Sequence, residues 1–485
     1  MPLRNEGLDR DDIFSTLETY RADDLNTKTG RLFARVYPAG ERVEQLALDA
    51  YRKYQGLNGL DPVAFPSLLR IEADIIDAAL SHLGADLDKA AGSFTSGGTE
   101  SILCAVKAAR DLARATRPEV TTPQVVMPTT AHAAFHKACA YFGLEAVTVA
   151  VDPETFKADP KRMAEAVTDQ TVLLVGSAPA YPHGTIDPIE AIGAIAKARN
   201  IPFHVDACVG GWLLPLFEEL GQDIPSFDFR VEGVTSISMD LHKYALCPKG
   251  ASVVLYADKN LRRYQYFACT EWSGYTIINP TVQSTKSGGP LAGAWATLNA
   301  FGRKGYLEIA QRTIDAFAEL KKGIDNVDGL EILGDPGFCM MGVKCTDVNV
   351  FHVLDEVMSR GWFMEVQLAF GNSPANLHIS LNPGNLDNVG PMLEDLEASV
   401  VAARAMGTET KLADQVKMVF SKMDPKDFNE EVFERLLKFA GMSGVGLPEK
   451  MAEVNQVLNA LPRALTKALL LEFANQLWSS EALKQ

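Results

Sequence analysis

Between Gly92 and Tyr256 the chain alternates short, almost wholly apolar runs with longer amphipathic stretches, and this alternation limits the possible folds more than any other feature. VVMP, AVTVAV, TVLLVGSAP, FHVDA, TSISMDLH and ASVVLY read as strands; ESILCAVKAARDLARA, AHAAFHKACAYFG and PIEAIGAIAKARN read as the helices between them. A strand that is apolar on both faces must be covered on both faces. The pattern therefore predicts an α/β domain with a mostly parallel sheet flanked by helices. Ligands on such sheets gather outside the carboxyl ends of the strands.

The rest of the chain divides around this block. Helices over Glu41–Gln55 and Pro66–Leu83, the second opened by proline and followed by Gly84, form an N-terminal helical arm over residues 1–90. The large domain spans 91–290. A long helical stretch followed by the strand-like pieces CMMGVKC and ANLHISLN predicts a smaller α+β domain over 291–407. From Thr408 a helical extension runs to 485, in which Val432, Leu436 and Phe439 share a face, as do Leu461, Leu465 and Leu469.

A net charge of −16 argues against bulk attraction to nucleic acid or an anionic membrane, so any phosphate must be captured locally. The seven cysteines are scattered without a Cys-x-x-Cys pair, which fits neither a disulfide framework nor a zinc site. No run approaches the roughly 18 apolar residues of a membrane span, and the acidic start has no apolar core. The expectation is a cytoplasmic protein.

Four features carry chemistry. Gly97, Gly98 and Thr99 lead straight into a helix, where close backbone approach and unpaired amides can cradle a phosphate; the same residues also suit a plain turn and cap. Asp206 ends an apolar strand, with His204 on the same face as an orienting group. His132 lies in the loop entering a helix, where an imidazole can stack on a flat ligand, whereas His136, four residues on, reads as a surface residue. No metal is expected, because His132 and His136 lack the glutamate of a His-Glu-x-x-His site.

The fourth feature is Lys243 in SISMDLHKYALCPKG. A lysine where a buried strand runs out is unfavourable unless its amine is neutral or covalently engaged, as in a Schiff base to an aldehyde cofactor. Phosphate cradle, strand-end acid, stacking ring and strand-end lysine are together the parts that hold pyridoxal 5'-phosphate.

These motifs resemble fold-type I pyridoxal-phosphate enzymes of the group II decarboxylase superfamily, and specifically sphingosine-1-phosphate lyases. SGGTESI, AHAAFHKA, GSAPAYPHGTIDPI, HVDACVGG and SISMDLHKYALCPKG carry the resemblance, which runs from about Gly30 to Pro391. It implies that Lys243 binds the cofactor covalently, His132 stacks on its ring, Asp206 pairs with the ring nitrogen, and Gly98, Thr99 and His242 hold its phosphate. It further implies proton-transfer roles for Lys249, Tyr181 and Tyr37. Thr285 would reach the cofactor in a second subunit, which makes a homodimer the expected state. The chain departs from that family at Lys286, where the family has arginine, and at Asp61, where it has a histidine associated with the substrate's phosphate end.

The implied reaction is cleavage of a carbon–carbon bond at the α-carbon of a primary amine held as an external aldimine, by retro-aldol splitting to an aldehyde and a small amine. A phosphate on the substrate is left open, since an aspartate repels one. The alternative is decarboxylation of an amino acid on the same machinery. An aminotransferase and a non-catalytic cofactor-binding protein are weaker readings. A nucleotide-binding domain lacks its glycine fingerprint.

Overall fold

A computed structural model describes residues 3–61, 63–407, 411–420, 422–439, 441–442, 446 and 448–478. Seven strands form the main sheet: β1 (Ala91–Thr95), β2 (Gln124–Pro128), β3 (Glu145–Val149), β4 (Thr171–Ser177), β5 (Phe203–Asp206), β6 (Ser236–Met239) and β7 (Ser252–Tyr256). Their order is β1-β7-β6-β5-β4-β2-β3, and β7 alone runs against its neighbours. Strands β1, β4, β5, β6 and β7 are buried along their whole length, as a sheet covered on both faces requires. β1 escaped the sequence reading because AGSFT is short and only half apolar.

The connecting helices are bounded by their own chemistry. His132 caps Ala133–Phe142, which stops at Gly143 in the left-handed conformation; Ile189–Arg199 stops at Asn200 in the same conformation. The helix Pro66–His82 has proline in its first turn, and Gly84 follows with φ of +64°.

Beyond the hairpin β8 (Phe267–Cys269) and β9 (Ile277–Asn279), a helical stretch runs Gly288–Asp325 and breaks at Gly302, whose φ is +56°. Its first half packs on the arm helix Glu41–Tyr54. Its second half covers a four-stranded antiparallel sheet, β10 (Leu330–Ile332), β11 (Met340–Cys345), β12 (Glu365–Gln367) and β13 (Asn376–Ser380), in the order β10-β11-β13-β12.

The arm is more than helical. Leu32 bridges Phe363, the Phe33 carbonyl accepts the Ser380 amide at 2.8 Å, and Asn382 and Asn385 both donate to the Leu32 carbonyl. These bonds stitch residues 32–33 into the small sheet and carry Arg35 and Tyr37 to the strand ends of the large domain.

The expected start of the helical extension at Thr408 lies outside the described residues. From Lys411 onward, Val416, Phe420, Phe433, Leu436, Leu461 and Leu465 bury one another in a core of their own. The Asp355 carboxylate of the small domain accepts the Met451 and Ala452 amides, and Asn459 accepts the Ala369 amide. No described helix is long and apolar enough to cross a membrane.

Candidate active site

The carboxyl ends of β4, β5 and β6 and the first turn of the helix Gly98–Thr116 converge on a cavity of about 410 Å³. Gly98, Thr99, His132, Tyr181, Asp206, His242 and Lys243 all line it. Thus the residues expected to hold a cofactor, Thr285 aside, come together in one hollow.

Asp206 is buried and held by neutral donors. Its Oδ1 accepts the Cys208 amide at 3.1 Å and the Ser238 hydroxyl at 3.3 Å. Since that hydroxyl has one proton, His204 must donate from Nε2 to Ser238 Oγ (3.1 Å) and accept at Nδ1 from Ser236 (2.9 Å). Burial pushes the His204 imidazole down to about 4, so it stays neutral. His204 therefore orients Asp206 through a serine, and not by direct contact.

Lys243 is paired, not isolated. Its Nζ lies 2.9 Å from Asp240 Oδ2, and His242 Nε2 lies 3.7 Å from the same oxygen. Burial opposes both charges, but each sustains the other: the ammonium is held above its usual value by Asp240, and the carboxyl below its usual value by Lys243 and His242. Asp240 was not among the expected site residues, although it stands three positions before Lys243. The i,i+3 spacing after an apolar strand was the available signal.

Gly98 must be glycine. A Cβ there would come within 2.8 Å of both Asp240 Oδ2 and Cys208 Sγ. Glu100 accepts the amide and hydroxyl of Ser96 with one oxygen and the amides of Val282 and Gln283 with the other. It thereby fixes the cradle against the segment that carries Thr285.

The profile of the pyridoxal-dependent decarboxylase conserved domain matches residues 2–344. This chain belongs to the pyridoxal-dependent decarboxylase family. A second profile, for a C-terminal domain of pyridoxal-dependent enzymes described as a helix-turn-helix, matches residues 413–476. The sphingosine-1-phosphate lyase of Oryza sativa subsp. japonica is 38% identical over 400 residues, which are 81% of this chain and 73% of that protein. Among solved structures, the sphingosine-1-phosphate lyase of Burkholderia pseudomallei matches with a TM-score of 0.79 and 34% identity, over 84% of this chain and 94% of that one. The glutamate decarboxylase of Lactobacillus brevis, at a TM-score of 0.73 and 20% identity over 83% and 95%, shares the fold.

The protein is thus a pyridoxal-phosphate-dependent lyase of this family, similar to the sphingosine-1-phosphate lyases. Its cavity fits the cofactor: a helix start that only glycine can line, a strand-end carboxylate with neutral partners, and a lysine amine at the strand end.

The remaining family positions lie around the cavity. Tyr181 lines it and donates to Glu365 Oε2 at 2.6 Å, while its ring lies 4.3 Å from that of His378. Tyr37 and Lys249 form a separate pair, with the ammonium 5.0 Å from the phenol ring centre and within 3.4 Å of the Arg35 carbonyl. Burial pushes the Tyr37 phenol up to about 12 and brings the Lys249 amine down, Lys243 adding to the latter.

Thr285 lies outside this cavity and lines a neighbouring hollow with Ser96, Gly250 and Lys286. Asp61 is exposed, and its side chain accepts the Val63 and Ala64 amides in a tight turn. His136 is exposed on its helix.

Proposed function

We propose that this protein splits the Cα–Cβ bond of a primary amine bearing a hydroxyl on the β-carbon, releasing an aldehyde and a small amine. Its substrate is of the sphingosine-1-phosphate type, phosphorylated or not. The observation that carries this reading is one cavity lined by a strand-end lysine fixed by Asp240, by the Asp206 carboxylate and by Tyr181, whose hydroxyl is held by Glu365.

In this reading Lys243 holds pyridoxal phosphate covalently, Asp206 faces its ring nitrogen, His132 covers the ring, and Gly98, Thr99 and His242 hold its phosphate. When bound, the cofactor supplies an electron sink for the bond that breaks. The chain's own residues manage protons. Tyr181 meets the substrate hydroxyl. Lys249, whose amine burial makes easier to deprotonate, is the base, and Tyr37 keeps its proton beside it.

Thr285 outside its own chain's cavity supports a homodimer in which it completes the second subunit's site. We take the working unit to be a cytoplasmic dimer that binds no nucleic acid, consistent with a net charge of −16 and seven free cysteines. Each subunit comprises the arm 1–90, the large domain 91–290, the small domain 291–407 and the extension 408–485.

The test is a product assay on cofactor-loaded protein with phosphorylated sphingoid bases, unphosphorylated 3-hydroxy amines, and acidic and aromatic amino acids. An aldehyde with a matching small amine is expected. Carbon dioxide from an amino acid, without aldehyde, overturns the reading in favour of decarboxylation.

A further inference from the structure

Glu365 had no part in the reading above, yet it sits where three segments meet. It begins β12 of the small domain, and its side chain is only 14% exposed. One oxygen accepts the Tyr181 hydroxyl and the other pairs with the Arg35 guanidinium. Across the β12–β13 pairing it stands opposite His378, whose ring lies against that of Tyr181. The phenol is gripped at its face by His378 and at its tip by Glu365.

The approach of Arg35 is built in. Arg35 is held at φ of +62°, a conformation that non-glycine residues adopt only when their surroundings impose it. Its side chain meets Glu365 while its carbonyl receives the Lys249 ammonium, so one residue ties both groups of proton-transfer candidates together. The loop carrying Tyr181 is pinned by the same small domain: Gln367 donates to the Pro182 carbonyl at 3.0 Å. Gly184 has φ of +70° and leaves no room for a Cβ, which would lie 2.1 Å from the Met340 carbonyl oxygen.

The chemical consequence concerns direction. A phenol has one proton, and this one is given to Glu365. Toward the cavity Tyr181 can offer only lone pairs. A substrate hydroxyl, which donates, matches that surface. A substrate carboxylate, which only accepts, does not, and it also meets the negative charge of Glu365 behind the phenol.

We propose that Glu365 is a specificity-determining positioning residue: by taking the Tyr181 proton it makes the phenol an acceptor for the substrate's β-hydroxyl and turns amino-acid carboxylates away from this wall of the site. This rests on the reading of the cavity as an amine site, and it names the substrate class by its hydrogen-bonding sense.

The experiment compares the holoenzyme with Glu365→Gln, Glu365→Ala and Tyr181→Phe. The first readout needs no substrate: ultraviolet titration of the Tyr181 phenol, identified by its loss in Tyr181→Phe. Removing the charge in Glu365→Gln should bring phenol ionisation to lower pH than in the parent; an unchanged titration overturns the contact. The second readout is calorimetric binding of a 3-hydroxy amine, its 3-deoxy analogue and the matching amino acid.

The parent should prefer the hydroxy compound over the deoxy analogue by about tenfold, the scale of one net hydrogen bond. That preference should vanish in Tyr181→Phe, whereas in Glu365→Ala the freed phenol proton can also meet a carboxylate, so the hydroxy amine should lose its advantage over the amino acid. In Glu365→Gln, whose amide oxygen can still accept the phenol proton, it should survive while the amino acid binds about tenfold more tightly. An affinity of the amino acid relative to the hydroxy amine that is the same in the parent and in Glu365→Gln overturns the proposal. If no ligand of the panel binds the parent, the amine reading itself fails, while the titration still reports on the Glu365–Tyr181 pair.

Discussion

Asp206 and Asp240 end neighbouring parallel strands, line one cavity and are 7% and 3% exposed, yet their surroundings are opposite. Asp206 meets only neutral donors, the Cys208 amide and the Ser238 hydroxyl. Asp240 meets a cation, Lys243 at 2.9 Å, with the His242 ring, held neutral by burial, 3.7 Å away. A buried carboxylate with neutral partners keeps its charge for something that arrives; one paired with a lysine has spent its charge on placing that lysine. The two acids are therefore held differently: Asp240 sets the position of the amine, and Asp206, in the function proposed above, is the carboxylate kept for a protonated ring nitrogen.

The sharpest way to break this contrast is to remove the cation. Lys243→Ala should abolish covalent attachment of pyridoxal phosphate, read as a missing mass increment after borohydride reduction, and lower turnover by at least about 10³-fold. It should also destabilise the cofactor-free protein by about 3 kcal/mol, because the Asp240 carboxylate stays buried without its partner. Adding Asp240→Asn to that variant should recover most of the loss in urea denaturation. Should Lys243→Ala prove no less stable than Asp206→Asn, the two acids are not held differently.

Asp206→Asn tests the other side. Its donors are neutral and an amide can accept them, so stability should change by no more than about 1 kcal/mol. Turnover should still fall by about 10²–10³-fold, the usual consequence of removing one preorganised charge from a reacting centre. Parallel loss of stability and activity would mean that Asp206 is a structural cap. Ser238→Ala cuts the link between Asp206 and His204 and should give a milder result, about 1 kcal/mol of stability and a smaller drop in turnover.

Much of this site was legible before the fold was seen, for a physical reason. Asp206, Lys243, Gly98 and His132 stand at the junctions of apolar strands and helix starts, where a polar residue interrupts a strong pattern. Asp240 carries a weaker signal, because an acid just after an apolar strand suits a turn or cap as well as it suits a partner for Lys243. Glu365 had no local signal at all: it opens a three-residue strand and meets Tyr181 from 184 positions away. The bend at Gly302 was hidden in a periodic helical pattern that glycine alone does not visibly break.

The finest test of the contrast is acidity. His204 is pushed down to about 4 by burial, and in the unfolded chain it returns to about 6.5. Between those values the unfolded chain binds more protons, so this ring's contribution is fully present above about 6.5 and is lost as pH falls toward about 4. Asp240, whose carboxyl lies below its ordinary value, keeps its contribution through that window and loses it only in stronger acid. The Asp206 side should thus loosen first. Between pH of about 7 and about 6 the His204 share is under about 1 kcal/mol, and it appears as the difference in pH slope of stability between the parent and His204→Asn. His183 and His378, also pushed down to about 4, and Asp187, pushed up to about 6 with the opposite sign, act in both proteins and cancel in that difference. A His204→Asn protein with the parent's slope would show that the ring gains its proton in the fold as readily as in the unfolded chain, and that burial does not keep it neutral beside Ser238.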